Sequence, residues 1–475
     1  MIKISAAKIK KNFTEGPLFF RITLFAIPIM LTGFLQIAYN MADNIVVGKF
    51  SGDPNALAAV GSCGSLNALI INFLFGIGAG AGVVVAQFFG AGENAKLSRC
   101  VHTAMLLALL GGIGFGAIGF ALGRPLLILM DTNPIVLDAA TLYIRIICIG
   151  VPANAIYNFG SAILRATGNS STPLIILGST GLINVFLNLL FVISFNMSVS
   201  GVAIATVASQ YASAVAVVAV LCMSRTSPYR LKLKKLRIEK PYLLRILRFG
   251  IPTGISSSMF SISNVFMTSA VNSFPITTVN ANTIASQIDS ITLTSMSCFG
   301  QAAMTFSGQN YGARKPERVM KSVGYSLIQT SLIGISVAAL ELAFARQLIV
   351  LFLDASHPDA EGIIADAIVI MSLMLPSYAI FALMDSITGG IRGLGYSNTA
   401  MLINLICICG MRVVWIFGIH PRIGTLWGLF LSYPVSWTLA LIFAIVCFAF
   451  LFVRFKKSVS LTQVSDGSFA VTKSE

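Results

Sequence analysis

The sequence predicts an all-α polytopic membrane protein of about twelve transmembrane helices in two parallel six-helix repeats. Three observations carry that prediction. Of 475 residues, 56% are hydrophobic and only 10% charged, whereas soluble domains hold roughly a quarter charged residues. Apolar runs recur from Leu18 to Val453 with short polar breaks, each near the ~20 residues that cross a bilayer. The chain also repeats itself across a basic linker.

The spans read as 21–46, 56–83, 99–121, 137–160, 173–195, 200–223, 249–273, 280–305, 321–344, 361–387, 399–419 and 426–453. Residues 1–223 therefore form one lobe, 224–248 the linker, 249–453 the second lobe and 454–475 a tail. The N-terminal lysines (Lys3, Lys8, Lys10, Lys11) ahead of an apolar run resemble a signal peptide. That run reaches Val47 with no small-residue cleavage site, so it is read as a retained first helix.

Of the 32 lysines and arginines, 26 lie in the termini and the even-to-odd loops, nine of them in the linker. Lys49, Arg124, Arg346 and Arg422 occupy the opposite loops, and Arg145 and Arg412 fall within spans. This bias predicts a plasma (inner) membrane protein with both termini and the linker cytoplasmic. The net charge of +15 is spread over alternate loops, which argues against nucleic acid as a partner. The eight cysteines mostly sit in or beside apolar runs, with neither disulfide nor zinc spacing.

Ile27-Pro28 recurs as Ile251-Pro252, and Gln87-Phe-Phe-Gly-Ala-Gly92 as Gln309-Asn-Tyr-Gly-Ala-Arg314. Leu164-Arg-Ala-Thr-Gly168 recurs as Ile391-Arg-Gly-Leu-Gly395. Six spans per half return the chain to the same side, so the repeats are parallel, an arrangement that places a transport site between halves. The repeat pairs Gln87 and Gly90 with Gln309 and Gly312, and Arg165 with Arg392. Glycine in the two glutamine loops suits a turn needing positive φ.

Together the Pro28…Gln36-x-x-Tyr39-x-x-x-Asp43…Gly48 pattern, the Gln87 and Gln309 loops and the Leu164-Arg165-Ala166-Thr167-Gly168 loop resemble the multidrug and toxic compound extrusion (MATE) family over essentially the whole chain. The resemblance implies two six-helix lobes around a V-shaped cavity. It also implies export of drug-like molecules, with organic cations expected, by antiport against H+ or Na+. The partners implied are membrane lipid, a small-molecule substrate and the coupling cation. One chain suffices, and no cofactor is indicated.

An ionisable group inside a bilayer costs at least ~2.5–3.5 kcal/mol, so each asks for a reason. Gln36, Asn40 and Asp43, at i, i+4 and i+7, make a polar seam on span 1, with Thr32 a turn above. The seam serves either cation coupling or helix packing. Asn40 matches Asn264 in the second half, whereas Asp43 matches Met267, and this asymmetry favours coupling; the resembled family also places its coupling acid here. Asn184 and Asn188 share a face of span 5. The family commonly has Asp at the second position, so this chain has one titratable group fewer. Sodium is open, and protons are favoured.

Asp289 (repeat mate Asn67) shapes a cation-attracting cavity or closes a local hydrogen bond. Asp385 faces Arg392 as an ion pair or takes part in transport. Arg145 and Arg412 read as snorkelling to the outer interface. Phe34, Tyr39, Met259, Phe260, Met296 and Phe299 are candidate cavity residues, since rings attract organic cations and methionine adapts to shape. Pro28, Pro152, Pro252 and Pro376 should bend their helices. Gly114-Phe-Gly116-Ala-Ile-Gly119 lacks the strand a dinucleotide loop needs. Gly76, Gly78, Gly80 and Gly82 mark close packing or local irregularity.

A flippase for lipid-linked precursors, the first rival, predicts a basic cavity, while the buried charge reads as mostly acidic. A membrane enzyme predicts clustered histidines or acids, and His102, His357 and His420 are scattered. In a cysteine-free background, single cysteines at Lys234 and Arg314 should react in intact cells with permeant thiol reagents only. One at Asn196 should react with impermeant reagents as well.

Overall fold

The computed structural model describes residues 12–52, 55–353 and 359–471, with side chains to 461. Lys3, Lys8, Lys10, Lys11, His357 and the last four residues of the tail lie outside the described residues. Twelve long helices order the chain. The first six are α1 Leu18–Phe50, α2 Ala56–Gly90, α3 Asn94–Leu129, α4 Pro134–Ala166, α5 Ser171–Ser194 and α6 Val199–Met223. The second six are α7 Lys240–Val271, α8 Ile276–Gly312, α9 Pro316–Ala343, α10 Ala360–Gly393, α11 Ser397–Ile423 and α12 Leu426–Leu461.

Most helices overrun the apolar spans. Thus α7 takes in 240–248 of the expected linker, and the last helix continues through the tail to Val471. Polar helix ends extend past the hydrocarbon, which hydropathy alone does not register. The remaining linker is tied to α3. Lys232 N donates to His102 Nε2 at 3.0 Å, and Glu239 N to Thr103 Oγ1 at 3.3 Å.

Ten of the twelve are apolar enough to cross a membrane by composition; α7 and α8 carry the hydroxyls and amides. In α7 some of these groups bond within the helix and others, Ser256, Ser261, Ser263 and Asn264, accept from neighbouring helices. Thr253 donates to the Phe249 carbonyl, Ser257 to that of Thr253 and Ser261 to that of Ser257.

The core of each half forms separately, but the first helices exchange. The start of α1 buries Leu18, Ile22, Phe25 and Ala26 against Phe299, Ala302 and Phe306 of α8. The start of α7 likewise buries Ile246 and Phe249 in the α2–α3–α4 cluster of the first half. Farther along, α1 packs on α5 and α7 on α11.

Between the halves the contact is backbone on backbone. A Cβ on Gly76 would overlap Gly254, and one on Gly80 would overlap Gly250. On its other face α2 seats Phe159 against Gly78 and Ala162 against Gly82, so the glycine run packs two helices at once. Gly90 and Gly312 prove to serve close approach rather than a positive-φ turn. A Cβ on Gly90 would overlap the Gln309 backbone, and one on Gly312 the Gln87 backbone. The left-handed residues are Gly92 (φ 72°) and Arg314 (φ 56°), just beyond.

Gly80→Val should lower thermal stability by ~1–3 kcal/mol through overpacking. Gly114→Val, where nothing lies within 4 Å, should leave the melting temperature of the purified protein unchanged.

Candidate functional site

In the first half the carboxylate of Asp43 is held by amides. Asn188 Nδ2 donates to Asp43 Oδ1 at 2.5 Å and to Asn184 Oδ1 at 3.2 Å. Asn184 Nδ2 lies 3.5 Å from Thr206 Oγ1 on α6. Asn188 is wholly buried, and its own Oδ1 has no partner, leaving one acceptor unspent beside the acid. Tyr39, one turn away on α1, donates to the Leu177 and Gly178 carbonyls at 3.0 and 3.1 Å. Its ring fills the space above Gly181, fixing α1 on α5. Gln36 and Asn40 are exposed and make no side-chain hydrogen bond among the described residues. The structure thus joins Asp43 to Asn184 and Asn188 but leaves the rest of the seam apart, because the asparagines meet the helix at the Asp43 level alone. Phe34 is half-buried on α1.

The second half encloses its charges differently. Tyr378 of α10 donates to Asp289 Oδ2, and Asp289 Oδ1 is buried without a partner. Glu341 of α9, which the sequence reading did not single out, accepts from Thr292 at 2.7 Å and is 6% exposed. Its signal was a lone acid in the apolar run from Ala338 to Ala343. Arg412 does not snorkel. It is fully buried, stacked 4.0 Å from the Tyr433 ring centroid, and donates to Ser263 and Asn264 at 3.3 and 3.2 Å. Two π-helical stretches, Asn404–Gly410 and Trp415–Ile419, flank it and turn it inward. Arg145 is exposed and lies over Phe120.

A cavity of about 310 Å³ lies between the halves, lined by residues of α2, α4, α7, α8, α10 and α11. Its charged lining is Arg165, Arg392 and Asp385, with Asn72, Gln301 and Asn404 as amides. Phe260 contributes to its wall, whereas Tyr39, Phe34, Met259, Asn264 and Asp289 do not line it. Their side chains are engaged elsewhere or lie outside it: Tyr39 on α5, Asp289 on Tyr378, Asn264 on Arg412. The expectation of mostly acidic buried charge fails here, since two guanidiniums face one carboxylate. Both arginines lie next to helix ends, where they read as loop charges.

The cavity closes at the basic end, where Arg245 and the Gln87 and Gln309 turns lie. Gln87 Nε2 donates to the Gly393 carbonyl of the second half at 3.0 Å, and Gln309 Nε2 to the Ala166 carbonyl of the first at 2.7 Å. Each acceptor is the other's repeat mate. The free oxygens are also held across the interface, Gln87 Oε1 by Arg245 at 2.8 Å and Gln309 Oε1 by the Phe13 amide at 2.9 Å. Phe13 stacks on Phe306 at 3.8 Å. This is a reciprocal latch.

Two pseudo-symmetric six-helix halves around a shared cavity, latched at one end, define a multi-pass membrane transporter. The MatE family model matches residues 28–190 and 252–417, once in each half, and the chain belongs to this multidrug and toxic compound extrusion family. It is similar to YoeA of Bacillus subtilis, named a probable multidrug resistance protein, at 26% identity over 429 residues, 88% of this chain and 91% of that one. NorM of Thermotoga maritima, named likewise, is 25% identical over 400 residues, 82% of each chain. The fold matches a solved multidrug resistance MATE family transporter in an outward-facing conformation with a TM-score of 0.85. That match has 22% identity over 94% of this chain and 98% of that one.

A hydrogen bond of this kind is worth ~0.5–1.5 kcal/mol. Gln87→Ala or Gln309→Ala should therefore populate a state with the basic end apart, more so in the double variant. Spin labels at Lys96 and Lys321, one per half and both exposed, should show a longer-distance component by pulsed dipolar spectroscopy. An unchanged distribution would remove the latch.

Proposed function

We propose that the chain is a secondary antiporter that exports small drug-like molecules, driven by inward protons bound at Asp43. The observation that carries this reading is the Asp43–Asn188–Asn184 network, a lone carboxylate held among helices α1, α5 and α6 with an unspent acceptor beside it. Buried carboxylates in a membrane helix are costly without a task. The first half offers one acid rather than the several a dedicated sodium cage would use, which favours protons. Asn184 and Asn188 still offer carbonyl oxygens to Na+.

The names of the relatives, probable multidrug resistance proteins, support drug-like substrates and export. The latch supports alternating access. With the basic end cytoplasmic, closed glutamine turns make an outward-facing state, and breaking them exposes the cavity inward. The cation and the substrate must favour different states, since a ligand of equal affinity for both shifts nothing. One pH unit supplies about 1.4 kcal/mol per proton, and 100 mV about 2.3 kcal/mol per charge. The sum sustains a gradient of roughly several hundredfold for one-for-one exchange. On this reading a single chain in the plasma membrane is the working unit.

In proteoliposomes with an imposed pH gradient, Asp43→Asn should abolish uphill export of a fluorescent substrate while the protein still folds and binds it. Normal transport by that variant would move the coupling site, with Asp289 the next candidate. Wild-type transport that follows a sodium gradient at fixed pH would replace the proton with sodium.

A further inference from the structure

The cavity floor holds two permanent positive charges, Arg165 and Arg392. Arginine does not deprotonate in proteins, and a buried charge without a partner is strongly unfavourable. Yet among the described residues neither Arg165 nor Arg392 makes a side-chain hydrogen bond or an ion pair. The exposed arginines Arg124 and Arg346 do, with Asp138 at 2.5 Å and Glu361 at 2.6 Å. Arg412, fully buried where the floor pair is half-buried, stacks on rings and donates to two side chains. The two floor arginines instead open on the cavity.

Asp385, the one carboxylate lining that cavity, neutralises only half of this charge. It lies over Gly300 of α8, and its side chain too has no hydrogen bond among the described residues. The repeat pairs Arg165 with Arg392, one from each half, while Asp385 matches Asn158. A symmetric basic pair with one asymmetric acid leaves a net positive floor beneath walls that include Phe75, Phe260 and Phe381. Guanidinium forks match the paired oxygens of carboxylate and phosphate, and the volume lies in the range of small-ligand pockets.

We propose that the cavity floor binds an acid group, carboxylate or phosphate, of an aromatic substrate between Arg165 and Arg392. The substrate class of the transporter is then aromatic acids and zwitterions rather than simple organic cations. The inference rests on the export reading for its role but not for the binding itself. Arg165 precedes Ala166, whose carbonyl accepts Gln309, and Arg392 precedes Gly393, whose carbonyl accepts Gln87. A bound acid therefore bridges the same two halves that the latch joins, next to the latch's two acceptors, and substrate strengthens the latched state.

The test is equilibrium binding to the full chain in phosphatidylcholine nanodiscs. Three matched fluorescent probes are used: pyrene-1-carboxylate, its methyl ester and pyrene-1-methylammonium. The acid should bind about tenfold or more tightly than the ester, as a charge-assisted hydrogen bond implies. Arg165→Gln and Arg392→Gln should each erase most of that preference with ester binding retained, Arg392→Lys should keep part of it, and Asp385→Asn should increase it. Equal binding of acid and ester by the wild type overturns the proposal, as does tighter binding of the ammonium probe. If an arginine variant loses ester binding too, the wild-type ratio and Asp385→Asn decide. Loss of the acid preference in nanodiscs containing phosphatidylglycerol assigns the floor to lipid phosphate and overturns the substrate assignment. Binding needs no gradient, so these outcomes stand whether or not Asp43 drives export.

Discussion

Where α2 meets α7, backbone lies on backbone. Gly76 and Gly80 admit Gly254 and Gly250 with no room for a side chain, and nearer the basic end Gly90 and Gly312 admit the glutamine turns of the opposite half. This approach sets the scale of the interface. It brings the Ala166 and Gly393 carbonyls within reach of glutamines from the other half, and so places Arg165 and Arg392 in one cavity. Wider helix spacing would separate the arginines and leave the glutamines without acceptors. Packing by small residues replaces the hydrophobic drive that lipid removes.

On this symmetric frame the chemistry is asymmetric. Asp43 has the repeat mate Met267, a buried side chain whose sulfur accepts from Ser432. Asp289 and Asp385 face Asn67 and Asn158. The first half surrounds its acid with amides and a hydroxyl. The second surrounds its charges with Tyr378, Tyr433, Trp437 and Phe260, rings that pack rigidly around Arg412. The frame permits two identical halves; the side chains place amides around the acid of one and rings around the arginine of the other.

Much of this was legible in the sequence, for physical reasons. Bilayer thickness sets span length, lysine and arginine sort by loop, and a six-helix repeat must run parallel. Asp43 was legible as an acid unmatched in its repeat, and Asn184 and Asn188 as one face by their i, i+4 spacing; that the three meet was implied by the family resemblance alone. Arg412 was misread because distance to the interface does not say which way a side chain points, and π turns shift the face by about a residue. Gly90 and Gly312 signalled a special backbone, but close approach and positive φ leave the same residue in a sequence. Arg165 and Arg392, near loops, were indistinguishable from topogenic charge until the halves were seen to meet over them.

The exchange of first helices bears on ancestry. The apolar start of α1 is covered by α8 and α9 of the second half, and Ile246 and Phe249 of α7 join the α2–α3–α4 cluster of the first. A lone six-helix unit with this connectivity would uncover Leu18, Ile22 and Phe25, or Ile246 and much of Phe249. A precursor of half the length is therefore complete only as an interlocked pair.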